Sequence, residues 1–358
     1  MTLKRFFLSA QWTVALSLLC LLFSCKETGK GILEAPKPIV EDVIKGHDEW
    51  NKIEIILRMA KKSDDGKYLL AYDEGKYNSI LPVKQVITLG RSGGGTGSVE
   101  ITSPTKHFTV LKGKDLYYTL EMCYFDRHGK SMNYQFCVYP ERKDAQMLPI
   151  HQHFFVIAQT NFFGKEAYPT DLAGNDIEEL HYTTGKDGKR RGMYAKELQK
   201  KSRSLFEYFY RDTDPVDAMI GSSYTDPQTG KTRTVDFIRK KRSLDPSVPY
   251  DRVGLKGYFN FKRSDIAYHM QIDLVHVIPG DKYIGKDPSN GNLLEFDERH
   301  PAWSVTDVTV KLPFRVIADA DAGVAICAQQ AAKELKIDAS AIQQMLSNPV
   351  QTEPDFRL

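Results

Sequence analysis

The sequence holds little of what usually betrays a catalyst. It contains no HExxH zinc signature and no pair of carboxylates that spacing alone would hold together. Its one glycine-rich run, Gly90-Arg91-Ser92-Gly93-Gly94-Gly95-Thr96-Gly97, lacks the GKS or GKT ending of a phosphate loop. A strand pattern follows it rather than a helix, so it reads as a flexible loop. Charge of one sign is also missing: 49 Lys and Arg face 46 Asp and Glu, a net charge of +3, which argues against nucleic acid as the general partner. Beyond Phe23 no apolar run approaches the roughly 20 residues a spanning helix needs. Cysteine is sparse, with five residues in 358. These absences lead to the expectation of a non-enzymatic body with no catalytic residues to name.

What is present begins with the first 25 residues. A cationic start (Lys4, Arg5) is followed by an apolar stretch from Val14 to Phe23 and by Leu22-Phe23-Ser24-Cys25, the order of regions found in an export signal. This segment resembles the lipobox of Gram-negative outer-membrane lipoproteins. The resemblance implies cleavage before Cys25, acylation of that cysteine, and a body anchored through its acyl chains. Lys26 follows the cysteine where an Asp would retain the protein at the inner membrane, so the implied address is the outer membrane. Removing residues 1–24 takes away Lys4 and Arg5 and leaves a net charge of +1. Residues 25–47, with Gly29, Gly31, Pro36 and Pro38 among charges, read as a lipid-attached spacer.

From Ile53 the apolar pattern has period two, the mark of half-buried strands. Leu116, Tyr118, Leu120, Met122 and Tyr124 alternate with Tyr117, Thr119, Glu121 and Cys123. After the turn-like Asp126-Arg127-His128-Gly129, the residues Tyr134, Phe136 and Val138 repeat the alternation, which predicts a hairpin. Further strands are expected near 52–59, 98–102, 151–159, 205–210, 255–261, 266–276 and 308–316, with Pro313 favouring an edge or a strand end. Many short strands without interleaved helices point to an all-β fold of antiparallel sandwiches. The expectation is two immunoglobulin-like domains, 48–165 and 203–318, joined by a charged connection over 166–202, with one large sandwich as the alternative. Residues 319–358 read as a helical tail, with Asp338 capping its second helix.

Export permits disulfides. Cys123 and Cys137 fall on the two arms of the expected hairpin and are the candidate pair, the alternative being two free thiols; Cys327 has no evident partner. The one constellation with ligand chemistry is His151-Gln152-His153, whose imidazoles share a strand face and suit Cu or Zn. Two ligands do not complete a site. Met147, His181, His269 and Asp273 are candidates to complete it, and surface or interdomain histidines are the alternative. Haem is a weaker prospect, because His269 and Met270 point to opposite faces of one strand. The basic stretch Lys186 to Arg203, with Arg239 to Arg242, reads as a solvated connection or a strip for acidic glycan or lipid phosphate. The functional expectation is a tethered binding module for uptake or adhesion, capturing a metal, haem, glycan or protein ligand. A structural lipoprotein docking onto an envelope protein or outer-membrane receptor and a metal-dependent hydrolase are the alternatives.

Overall fold

The computed structural model describes residues 49–62, 68–91, 98–136, 151–161, 163–181, 186, 194–210, 212, 223–225, 232–234, 252–277, 282, 294–300, 303 and 305–349. Cys25, Cys137, Met147, Ser92 to Gly97 and Arg239 to Arg242 lie outside these residues. The chain from Lys45 onward forms one compact unit.

The structure is mostly β. One sheet is built from β1 (Lys52–Lys62), β2 (Tyr68–Leu70), β3 (Lys84–Arg91), β4 (Val99–Ile101), β6 (Leu116–Phe125), β8 (Phe206–Tyr210) and β11 (Lys256–Phe261). Its order is β4-β3-β1-β6-β11-β8, with β2 paired to β1. The second sheet has the order β5-β13-β12-β7, from β5 (Phe108–Lys112), β7 (His151–Ile157), β12 (Ile266–His276) and β13 (Thr306–Asp319). A separate pair joins β9 (Ser223–Thr225) to β10 (Thr232–Thr234). Among the described strands, every pairing is antiparallel except that of β13 with β5.

Alternation sets the register. Ile53, Ile55, Leu57 and Met59 lie opposite Tyr124, Met122, Leu120 and Tyr118, and all eight are buried. The Phe155 ring lies 4.0 Å from that of Tyr208 at a tilt of 34°, Phe259 meets Phe314 at 6.1 Å, and the Leu111 N–H donates to the Tyr118 hydroxyl at 2.8 Å. The two sheets therefore face each other across an aromatic-rich core, whose buried apolar surface stabilises the fold at about 25 cal/mol per Å².

The expected division at 165/203 does not follow the pairing. β6 pairs β11 in one sheet, and β7 and β5 share the other with β12 and β13, so strands of both blocks are interleaved. Each block's inward aromatic face is completed by strands of the other block, which a reading of local alternation has no means to detect. The hairpin after β6 also differs. The Asp126–Gly129 turn forms, but Asn133–Phe136 is a short 3-10 turn instead of a strand. Asn133 substitutes for the missing partner: its Oδ1 accepts the Tyr124 N–H at 2.8 Å and its amide donates to Met122 O at 3.0 Å. Pro313 sits inside β13, an inner strand, immediately before the parallel ladder with β5 starts at Phe314.

Among the described residues, four α-helices accompany the sheets: α1 (Glu74–Tyr77), α2 (Lys196–Leu205), α3 (Val324–Leu335) and α4 (Ala339–Leu346). α2 begins within the expected charged connection and runs three residues past its expected end at 202. It buries Leu198, Lys201, Ser202 and Leu205 at helical spacing, and the Ser202 hydroxyl accepts the Ile157 N–H at 3.0 Å. Part of the basic stretch is thus used internally, since Arg203 holds the buried Asp297 through two bonds of 2.6 Å. The tail forms its two helices, with Asp338 Oδ1 accepting the Ser340 N–H at 2.8 Å. No helix of the described residues is long and apolar enough to cross a membrane.

Candidate metal centre

His151 and His153 do share a face of β7, and both are fully buried. Their surroundings separate them. His153 lies opposite Leu274 and points between the sheets. Its Nδ1–H donates to Val253 O at 2.6 Å, which fixes the tautomer, and its Nε2 lies 2.7 Å from the Tyr124 hydroxyl. Burial raises the Tyr124 pKa far above the phenolic range, so Tyr124 keeps its proton and donates it to Nε2. Burial lowers the His153 pKa to about 4. With both nitrogens engaged, His153 serves as a neutral core residue.

The backbone around His153 is held for that purpose. Val253 O also accepts the His153 N–H at 2.7 Å. Asp212, itself buried, accepts four successive N–H groups: Val253 and Gly254 on Oδ2 at 2.9 Å each, Leu255 on Oδ1 at 2.7 Å and Lys256 at 3.0 Å. A carboxylate inside such a nest of amides is strongly favoured. Gly254 has φ +89°, and a Cβ there would stand 2.7 Å from the His153 Cβ. Only glycine lets the turn approach the histidine this closely.

His151 meets different partners. It lies opposite His276, and the two Nε2 atoms are 2.9 Å apart. Asp307 Oδ2 is 3.1 Å from His276 Nε2 and 3.8 Å from His151 Nε2. A bulge supplies this third group. Leu274 pairs Val308 while Val275 pairs Thr306, so Asp307 is the extra residue of β13 and its side chain turns toward the histidines. Phe136 closes one side with its ring 5.7 Å from His151. His151 and Asp307 have nearly inaccessible side chains, whereas His276 is 33% exposed and forms the approach from solvent.

These three residues are, among the described residues, the one group of ligand-type side chains close enough to share an ion. Two imidazole nitrogens and a carboxylate suit Zn, Cu or Ni. Ligand atoms about 2.0 to 2.2 Å from a tetrahedral zinc stand roughly 3.3 Å apart. The present separations of 2.9 to 3.8 Å bracket that value, so the set fits with shifts of a few tenths of an ångström.

The other candidates are elsewhere. His181 stacks on Tyr168 at 4.1 Å. Asp273 is occupied on the outer face of β12, accepting from Tyr194, Gln271, Arg299 and Thr309. Met270 is in the core while His269 is on the opposite face, so the pair cannot address one haem iron. Gly90-Arg91-Ser92-Gly93-Gly94 has the GxSxG spelling of a nucleophile elbow, but it joins β3 to its antiparallel neighbour β4, where an elbow requires a strand leading into a helix. Cys123 lies on β6, and its expected partner Cys137 is outside the described residues.

The signal for His276 is present in the sequence, where it ends the otherwise apolar face Ile266, Tyr268, Met270, Ile272, Leu274. Asp307 has no comparable signal, because its placement depends on the bulge. Comparison with known protein families, curated proteins and solved structures finds no match to this chain, so the functional reading rests on geometry.

Proposed function

We propose that this chain is a lipid-anchored binding module of the outer membrane whose ligand is a divalent transition metal, Zn(II) or Cu(II), held by His151, His276 and Asp307. The observation that carries the reading is the convergence of two imidazole nitrogens and one carboxylate oxygen at the bulged end of β12 and β13. Cys25 and the preceding apolar segment support the anchor, and the near-neutral body fits a ligand that is not nucleic acid.

Three protein ligands leave a coordination position for water or an incoming group. Such a site binds its metal less permanently than a closed four-ligand cage, which suits capture and transfer. The same ligand count favours a metal-dependent hydrolase as the second reading, with a metal-bound water as nucleophile. Calorimetric titration of Zn(II) and Cu(II) into the full chain tests the first reading. One equivalent is expected to bind, and His276→Ala, a change at a partly exposed position, is expected to weaken binding by at least tenfold. Equal binding by the two proteins, or none by either, overturns it. Metal-dependent ester hydrolysis that is lost in His276→Ala would select the hydrolase.

A further inference from the structure

The inward face of β1 runs Ile53, Ile55, Leu57, Met59 and then Lys61. An ammonium ends a row whose other members are all buried hydrophobics. Its paired residue on β6 is Leu116, which is also buried. At this end of the sandwich the two sheets are capped by the C-terminal helices, and the cap leaves a cavity of about 400 Å³. Met59, Leu111, Leu116 and Cys327 form part of its wall, and Lys61 and Val324 also line it. Cavities of this size with an apolar wall and a few polar groups are typical of small-molecule sites.

The charges around the cavity single out Lys61. Lys112 is held by Asp319 at 2.6 Å and by Asp321 at 3.3 Å. Asp321 further accepts the Lys114 N–H, and the Lys114 ammonium stands 4.0 Å from Asp115. Lys61 makes no ion pair with any of the described residues. Among the described residues, Lys61 is therefore the one cation on the cavity wall with no carboxylate within 4.0 Å, since Lys114, itself largely exposed, has Asp115 at that distance. Cys327 contributes a neutral wall, because burial pushes its thiol up to about 11.

We propose that this cavity binds a small amphipathic carboxylate, its apolar body against Met59, Leu111, Leu116 and Cys327 and its carboxylate on Lys61. The site is separate from the histidine cluster and does not depend on the reading of that cluster. An anionic head group gains a charge-assisted hydrogen bond, and an aliphatic or aryl-alkyl tail fills the apolar part.

The test uses phenylbutyrate and phenylbutylamine, which share a body and differ in charge. Each is titrated calorimetrically into the full chain held in lipid nanodiscs, with empty nanodiscs as the blank. The wild type is expected to bind the acid and to prefer it over the amine. Lys61→Glu, at a partly exposed position, is expected to weaken the acid by about tenfold and to reverse the preference. Val324→Trp, which fills the mouth from a position 40% exposed, is expected to abolish binding of both, with thermal melts confirming that each variant folds. No binding of the acid by the wild type, or binding unaffected by Val324→Trp, overturns the site. Loss on Val324→Trp with an unchanged acid preference in Lys61→Glu overturns the assignment of the carboxylate to Lys61.

Discussion

Replacing Asp212 by Asn tests how the core beneath the candidate metal centre is held. The two side chains have nearly the same shape, so the change isolates the carboxylate's capacity to accept. Asp212 receives four N–H groups, two on each oxygen. Asn keeps one carbonyl oxygen and turns an amide donor toward two of those N–H groups. Two buried donors then lose their acceptor, at about 1 to 3 kcal/mol each, and the remaining two bonds lose their charge assistance. The expected loss is about 3 to 6 kcal/mol, a large share of the roughly 5 to 15 kcal/mol that stabilises a typical domain. Urea unfolding at neutral pH, followed by tryptophan fluorescence and far-UV circular dichroism, reads this directly. The midpoint should fall with little change in slope, and amide exchange should accelerate first at residues 253–256. A loss under about 1 kcal/mol with unchanged exchange there would refute the reasoning, since the turn would then be held by something other than the carboxylate.

Three further outcomes follow from other parts of the chain. Gly254→Ala should destabilise the fold by about 2 to 4 kcal/mol, because φ +89° is unfavourable for alanine and its Cβ would press on His153; urea midpoints check this. Burial and then Lys311 lower the pKa of His269 below the usual imidazole value. The unfolded chain therefore takes up this proton first as pH falls, so His269 contributes a loss of stability that begins near pH ~6.5 and grows on acidification. His269→Gln should flatten that part of the stability profile, and an unchanged profile would count against it. Cys25→Ser should release the body from membranes or stop processing, which fractionation and gel mobility would show; unchanged partition would remove the lipid anchor from the account.

Strands were legible where alternation was local. The inward faces of β6 and β12 could be read residue by residue, and so could the Asp338 cap of α4, while β1 was placed by its period. Which strands neighbour one another could not be read, because β6 and β11 are paired across more than a hundred residues and each carries the same kind of alternation. The arm after Asp126–Gly129 looked like a strand because Tyr134 and Phe136 alternate, yet Asn133 satisfies the Tyr124 and Met122 backbone groups that a strand would have paired. α2 was hidden by its basic residues, although Leu198, Ser202 and Leu205 carry the helical spacing.

The candidate metal centre was half visible. His151 and the shared face with His153 followed from period two, but the two roles did not. His153 turns toward Tyr124 and Val253, partners that are distant in sequence, while His151 finds His276 through register and Asp307 through a bulge. Polar residues that end an apolar face, His276 on β12 and Lys61 on β1, were the signals in the sequence that alternation alone passes over.

His151 and His276, not His151 and His153, are proposed to hold the metal together with Asp307. X-ray absorption at the zinc edge of the Zn(II)-loaded full chain addresses this proposal most directly, since imidazole ligands give a characteristic outer-shell scattering that can be counted. Two imidazoles are expected in the wild type, and one or none, with weakened binding, in His276→Ala. A zinc site in His276→Ala with unchanged affinity and two imidazoles would contradict the account.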